Sequence, residues 1–311
     1  MTLSTTKTIA RLPHLTTFLA DSPTAVAGWG RKPSGRRAVW LARLLRRPVA
    51  LLEDGFVRSV DRNAPTLSLL VDDIGVYYDA ARPSRMERVI SDGADGDQAA
   101  RAARLTAQWR AGRVSKYNHS PEYPDRLPDR YVLVIDQTFG DLSVVGGLAS
   151  PERFSAMLSA ALAENPDAEV IVKVHPDVFS KAKRGYFDPS SSRARIRIIG
   201  TDCHPVRLLE RATAVYCVTS LMGFEALLWG RPVRCFGMPF YAGWGITQDE
   251  LPRPMRRHDA RLEDVVHAAL VALARYADPV NGARWKAEQA IDHVARERSA
   301  LLSRRFGDAA L

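Results

Sequence analysis

Four polar clusters in this 311-residue chain each follow a run of buried-type residues. Glu53 and Asp54 follow VALL, and Gln137, Asp141 and Ser143 fall within and after YVLVIDQ. His175, Pro176 and Asp177 follow VIVKV. Thr219 and Ser220 follow AVYCV, with Glu225 one helical turn later. Carboxylates from two such clusters facing one cleft would meet the usual requirement for reaction at an anomeric carbon. One attacks while another handles a proton. The plainer alternative is that Asp54 makes a turn and Asp141 caps a loop.

The same clusters suit an anion. Ser220 can cap a helix over SLMGFEALL, and a helix start with free N–H groups favours phosphate. Gly223 would allow close approach there. Glu225 could accept two hydrogen bonds from vicinal hydroxyls, as on a ribose, or simply stabilise the helix dipole. Pro176 pushes His175 toward extended backbone, and Lys173 shares its strand face, so both can meet an anion. A structural histidine is the alternative. In GWGRKPSGRR, the residues Gly28, Trp29, Gly30, Arg31 and Lys32 could cradle a further anion. A Walker loop is absent, and Pro33 after Gly28-Trp29-Gly30 breaks the dinucleotide fingerprint. MPFYAGWG either shapes a pocket or packs as a loop.

The surrounding elements read as two α/β halves. TAVAGWG, RKPSGRRAVWLARLLRR and PVALLEDGFVRSV open a strand–helix–strand unit. TLSLLVDDIGVYYDA reads as two short strands about Asp72 and Asp73, and SRMERVISD and DQAARAARLTAQWRAG as helices. The proline-rich and charged SKYNHSPEYPDRLPDR marks a boundary. From 130 to 237 the order is β-α-β-β-α-β-α-β, which implies a parallel sheet covered on both faces. The expected fold is α/β: two Rossmann-like domains, residues 1–125 and 126–257, facing a cleft. Residues 258–311 are expected to be helices packing across them. Ligands in such sheets bind at the carboxyl ends of the strands, where the polar clusters lie.

Composition bounds the function. Hydrophobic residues make up 46% and charged residues 25%, ordinary values for a globular chain. Cys203, Cys217 and Cys235 form neither a CxxC pair nor a zinc-spaced Cys/His cluster, so no zinc site is read from them; no other metal or cofactor is expected. Cys217 and Cys235 sit in apolar runs and read as buried small hydrophobes, in keeping with a reducing compartment. No run approaches the roughly 20 apolar residues of a membrane span, and the N-terminal segment lacks a signal-peptide core. A cytoplasmic protein is therefore expected. Net charge is +9, and Arg31, Lys32, Arg36, Arg37, Arg43, Arg46 and Arg47 cluster. That balance suits an anionic partner. No nucleic-acid motif is present, so nucleic acid is not the expected one.

Taken together, GWGRKPS, LLEDGFVRS, GVYYDA, SKYN, DQTFGDLSVVGG, VKVHPD, VTSLMGFEALLWGRPV and PFYAGWG resemble the KpsC/LipA family of capsule polysaccharide proteins. The resemblance runs from about residue 28 to 257. It implies a GT-B-like, retaining β-Kdo glycosyltransferase with CMP-β-Kdo as donor. The acceptor it implies is a phosphatidylglycerol-based glycolipid already carrying Kdo, handled at the inner face of the inner membrane beside other capsule proteins. By position it makes Asp141 the nucleophile, supported by Gln137 and Ser143. Glu53 and Asp54 become the acid/base and sugar-positioning pair. His175, Ser220 and Glu225 would hold CMP, and Gly28–Lys32 with Lys116 and Asn118 of SKYN would lie on the acceptor side. Many family members carry two transferase modules, and this chain has room for one.

Overall fold

The computed structural model describes residues 2–61, 64–174, 178, 182–188 and 194–306. His175, Pro176 and Asp177 lie outside the described residues. The chain divides into two compact units. The first comprises Met1–Tyr77, Arg82–His119 and Arg261–Leu311, and the second Tyr78–Ala81 and Ser120–Ala260. The described strands are, in chain order, β1 (Leu3–Ser4), β2 (Val26–Trp29), β3 (Val49–Asp54), β4 (Ser68–Asp72), β5 (Tyr131–Ile135), β6 (Glu169–Lys173), β7 (Ile196–Ile199), β8 (Val215–Cys217), β9 (Val233–Cys235), β10 (Gln248–Asp249), β11 (Ala274–Ala277) and β12 (Arg284–Trp285). Each unit is built on one six-stranded sheet, which is the α/β class expected of the sequence.

The sheet of the first unit has the order β1-β2-β3-β4-β11-β12. β1, β2 and β3 are parallel, whereas β4, β11 and β12 join antiparallel. β2, the helix Pro33–Leu44 and β3 form the expected strand–helix–strand unit. The helix lies close to the sheet because its inward residues are small: Gly35, Ala38 and Ala42 are buried. Opposite them stands Gly28, where an added Cβ would fall 2.6 Å from the Ala38 Cβ and 2.7 Å from the Gly35 Cα. Gly28 is thus set by helix packing, independently of any ligand.

Two expectations are corrected in this unit. GVYYDA does not form a strand. Asp72 Oδ1 accepts from the N–H groups of Ile74 and Gly75, both at 2.8 Å, and Oδ2 accepts from Arg85 N at 2.8 Å. A buried carboxylate that captures local backbone donors turns the chain instead of extending it. Residues 258–311 are not all helical either. The helix Leu262–His267 passes through a π-turn, Ala268–Ala272, and becomes β11. The run VVHAALVALARYAD has helical periodicity throughout, but β4 needs a partner along its free edge. Val71 N donates to Leu273 O at 3.1 Å, and Ala274 and Tyr276 pair with Leu70 and Ser68. Tertiary pairing overrides local propensity here. The long helix Ala287–Phe306 follows as expected.

The sheet of the second unit is parallel throughout, in the order β10-β9-β8-β5-β6-β7. β5 is buried at all five positions, and Phe154, Met157 and Ala161 of the helix Glu152–Glu164 pack in the same core cluster as Val132 and Val134. Cys217 and Cys235 are free, fully buried and paired in register across β8 and β9, with sulfurs 3.9 Å apart.

The close packing in the first unit is testable. A Cβ on Gly35 would lie 1.8 Å from the Gly30 carbonyl oxygen, which is backbone and cannot swing aside. Gly35→Ala should cost about 1–3 kcal/mol through overpacking, seen as a lowered unfolding midpoint. Gly96→Ala, where an added Cβ meets nothing within 4 Å, should leave the midpoint unchanged or slightly raised.

Candidate active site

Because β5 and β8 are parallel neighbours, their carboxyl ends deliver Gln137 and Thr219 side by side. Thr219 N donates to Gln137 Oε1 at 2.9 Å. A backbone N–H can only donate, so this bond fixes which end of the Gln137 amide is oxygen. Gln137 Nε2 consequently points at Thr219 Oγ1 (3.1 Å), Ser143 Oγ (3.2 Å) and Asp141 Oδ2 (3.4 Å). The Ser143 and Thr219 hydroxyls are themselves 3.1 Å apart. Asp141 caps the short helix Leu142–Gly146, its Oδ1 accepting from Ser143 N at 2.9 Å. One carboxylate oxygen is thus held by the cap and the other by Gln137, while the residue itself is exposed. Asp141 therefore does cap a loop, and the same geometry presents an oriented, accessible carboxylate.

Glycines at two positions let this cluster form. An added Cβ at Gly147 would lie 2.4 Å from Thr219 Cγ2, and one at Gly237 2.8 Å from the same atom. Met238 N donates to Gly147 O at 2.7 Å, tying the end of β9 to the loop that carries Asp141.

Asp136, the residue just past β5, supports the cluster from beneath. It is buried, and its Oδ1 accepts from Gln137 N at 2.8 Å and Tyr186 N at 3.1 Å. Its Oδ2 has no hydrogen-bond partner among the described residues and faces Gly185. Burial pushes the Asp136 carboxyl up to about 6, against the pull of the backbone donors of Tyr186, Gln137 and Phe187. Tyr186 in turn stacks on Phe154 with centroids 3.7 Å apart, and Arg184 covers Phe139 at 4.9 Å. The segment 182–188 thereby clamps the loop between Gln137 and Asp141. Neither Asp136 nor Thr219 was given a role from sequence. Their signals were an acid and a hydroxyl directly after apolar strands.

Ser220 caps the helix Leu221–Leu228, its hydroxyl accepting from Met222 N at 3.3 Å, while the Tyr241 hydroxyl donates to Ser220 O. Gly223 does permit a close approach, but by Tyr241: an added Cβ would lie 2.2 Å from its hydroxyl oxygen. Glu225 is buried on the second turn of that helix. Lys173 is also buried, its ammonium donating to the carbonyls of Val174 (2.9 Å) and Thr201 (3.1 Å), with burial lowering its pKa. It ties β6 to the chain near Thr201. Phe240, Tyr241 and Trp244 of PFYAGWG are buried, and Trp244 Nε1 donates to Phe240 O at 2.7 Å. That run is a packed loop. A cleft of about 580 Å³ in this unit lies at the opposite, amino end of β5 and β6, lined by Arg126, Arg130, Arg195 and Arg197 with Asp129 and Glu169.

The first unit joins a second group of expected residues. Glu53 and Asp54 end β3, paired with Leu70 and Leu69 of β4. Consecutive strand residues point to opposite faces, so the two carboxylates leave β3 on different sides of the sheet. Asp54 meets Arg58 at 3.5 Å, and Arg58 lies over the half-exposed Tyr117 ring at 5.6 Å. Lys116 reaches the same ring at 6.0 Å. The EDGFVRS and SKYN loops are therefore neighbours. Asn118 is fully buried and folds the turn, its Oδ1 accepting from Ser115 N at 2.9 Å. Trp29 packs partly buried against the core of its sheet, with Lys32 over its ring at 5.6 Å. Gly30 takes a positive φ of 35° to start the turn, and Arg31 is half-buried beside it.

A family profile described as "Capsule polysaccharide biosynthesis protein" matches residues 24–119 and 100–285. The capsule polysaccharide modification protein LipA of Neisseria meningitidis serogroup B is 38% identical over 312 aligned residues, covering 92% of this chain and 44% of LipA. The chain thus spans about half the length of that relative. The lipopolysaccharide-processing protein LpsZ of Rhizobium meliloti is 36% identical, covering 92% of this chain and 67% of LpsZ. Among solved structures, "Thermosulfurimonas dismutans KpsC, beta Kdo 2,4 transferase" superposes with TM-score 0.85 at 40% identity. The match covers 94% of this chain and 97% of that one. The beta Kdo 2,7 transferase of the same KpsC gives TM-score 0.66 at 29% identity, covering 88% and 86%.

The Asp136 environment yields a pH prediction. Between about pH 4 and pH 6 the folded chain holds a proton that the unfolded carboxyl has released. The contribution of this group to stability therefore falls as pH rises through that window. Asp136→Asn keeps the Oδ1 acceptor and cannot ionise. Its unfolding free energy relative to the native chain should rise by about 3 kcal/mol from pH 3.5 to pH 7. Parallel pH profiles for the two proteins would contradict the assignment.

Proposed function

The chain belongs to the capsule polysaccharide biosynthesis protein family, and from that membership we propose that it is a retaining β-Kdo transferase using CMP-β-Kdo. The acceptor we propose is a phosphatidylglycerol-based glycolipid that already carries Kdo, reached from the cytoplasmic face of the inner membrane. The observation carrying this reading is the oriented Asp141 carboxylate at the carboxyl end of a parallel sheet, in a chain that superposes over 94% of its length on a beta Kdo 2,4 transferase. The 2,4 match exceeds the 2,7 match in both TM-score and identity, so we assign the 2,4 linkage.

In this scheme Asp141 Oδ attacks the anomeric carbon as the bond to the CMP phosphate oxygen breaks. Gln137 Nε2 aims the carboxylate. The start of the helix Leu221–Leu228, with Ser220, steadies the departing phosphate, and His175 and Glu225 complete the CMP site. The acceptor hydroxyl then displaces Asp141 as a general base takes its proton; Glu53 and Asp54 are the carboxylates we propose for acid/base and sugar-positioning work. Two displacements restore the original configuration. CMP carries a single phosphate, so the scheme assigns no role to a metal. Lys116, Asn118 and the segment Gly28–Lys32, where β2 ends and turns, are assigned to acceptor handling. Further capsule synthesis or export proteins are proposed as partners, and nucleic acid is not.

Asp141→Asn should retain the cap, since the amide oxygen can still accept from Ser143 N. It should lower transfer from CMP-Kdo by about a thousandfold or more while CMP still raises the unfolding midpoint. Near-native turnover in this variant would remove the nucleophile. A midpoint raised by UDP or UMP but not by CMP would remove the donor.

Ser143→Ala leaves Asp141 capped through the backbone but deprives Gln137 of one acceptor. We expect kcat to fall about tenfold, by analogy with the loss of one positioning hydrogen bond, with KM for the donor little changed. A selective rise in KM would place Ser143 in donor binding instead.

A further inference from the structure

The helix Pro33–Leu44 belongs to neither cluster, and its apolar residues are inverted. The face against the sheet holds the buried Gly35, Ala38 and Ala42. The large side chains look outward: Trp40 is 62% exposed, Leu44 63% and, just past the helix end, Leu45 46%. Trp40 and Leu44 are four residues apart, so they stack on one face, opposite the buried stripe. Arg36, Arg37, Arg43 and Arg46 are exposed around them. From Arg31 to Leu52 the chain carries seven basic residues and no acid.

A tryptophan and a leucine kept together in water within a ring of arginines are costly unless something covers them. The arginines select an anionic partner. The apolar centre selects one with an apolar interior within reach, which a polyphosphate surface does not provide. We propose that this outward face docks on an anionic lipid bilayer. Trp40 and Leu44 enter the interfacial layer, while Arg36, Arg37, Arg43 and Arg46 lie among the lipid phosphates, their stems along the apolar boundary. The helix would rest in the interface plane. Among the described residues no helix is long and apolar enough to cross a membrane, so this attachment would be peripheral. The assignment deepens the lipid-linked acceptor reading and rests on it for the choice of a bilayer.

The test is flotation of the full chain with vesicles of phosphatidylcholine alone or with 30% phosphatidylglycerol (about a third anionic lipid, enough to raise a surface potential). Alongside it run Trp40→Ser/Leu44→Ser and Arg37→Glu/Arg43→Glu. None of these positions belongs to the proposed catalytic or binding machinery. The native chain should float with the anionic vesicles and not with neutral ones. Each double variant should partition about tenfold more weakly or worse, with an unchanged unfolding midpoint and an unchanged response to CMP. Native-like flotation of both variants would overturn the assignment, as would failure of the native chain to bind anionic vesicles. A native dimer in size-exclusion that the Trp40/Leu44 substitutions dissociate would overturn it in favour of a second copy. The response to CMP reports on the donor site separately, so loss of docking and loss of the transferase reading are distinguishable.

Discussion

The candidate chemistry of the second unit depends on one adjacency. β5 and β8 run parallel and side by side, so the residues just beyond them share a short edge. The Thr219 N–H takes Gln137 Oε1, and that single bond orients the rest of the amide. Three acceptors then cluster about Gln137 Nε2, Asp141 among them. Glycines at 147 and 237 leave the room for this approach, since a side chain at either would collide with Thr219. Partly buried hydrogen bonds of this kind are individually modest, but breaking one strands its partner, so the network tends to hold or fail together.

Beneath the network, Asp136 couples the site to segment 182–188. One carboxylate oxygen serves the backbone of both Gln137 and Tyr186. The clamp is completed by ring stacking of Tyr186 on Phe154, a core residue of the same unit. The loop presenting Asp141 is therefore seated on the hydrophobic core. Such support suits a group that must be held in a reactive orientation before substrate arrives.

The first unit illustrates a different economy. Small residues on the inner face of Pro33–Leu44 bring the helix within backbone distance of β2; Leu41 still packs beside Val26, Ala38 and Ala42, but Trp40 and Leu44 are left facing out. Its sheet is also completed late: β4 waits for β11, some two hundred residues further along the chain. Contacts that distant carry a loop-closure cost that local pairings do not. The two AGWG runs make the same point about context. Ala27–Trp29 lie in strand β2, while the second copy is a loop with Ala242, Gly243 and Trp244 buried and Gly243 and Gly245 both at a φ of 78°.

Much of the framework was legible in the sequence. Apolar runs such as YVLVI and EVIVK read as buried parallel strands because both their faces are covered. The acids and hydroxyls that follow them stand out for the same reason. Hydrophobic burial is encoded residue by residue, so strands, most helices, the buried cysteines and the positions of Gln137, Asp141, Ser143 and Ser220 could be read directly. The sequence could not say which ends meet. Only the folded sheet set Thr219 against Gln137, gave Gly223 to Tyr241, spent Lys173 on backbone carbonyls and recruited ARYA as a strand. Each of those outcomes depends on a partner distant in the chain, and pairing between distant segments is decided by tertiary packing rather than by local pattern.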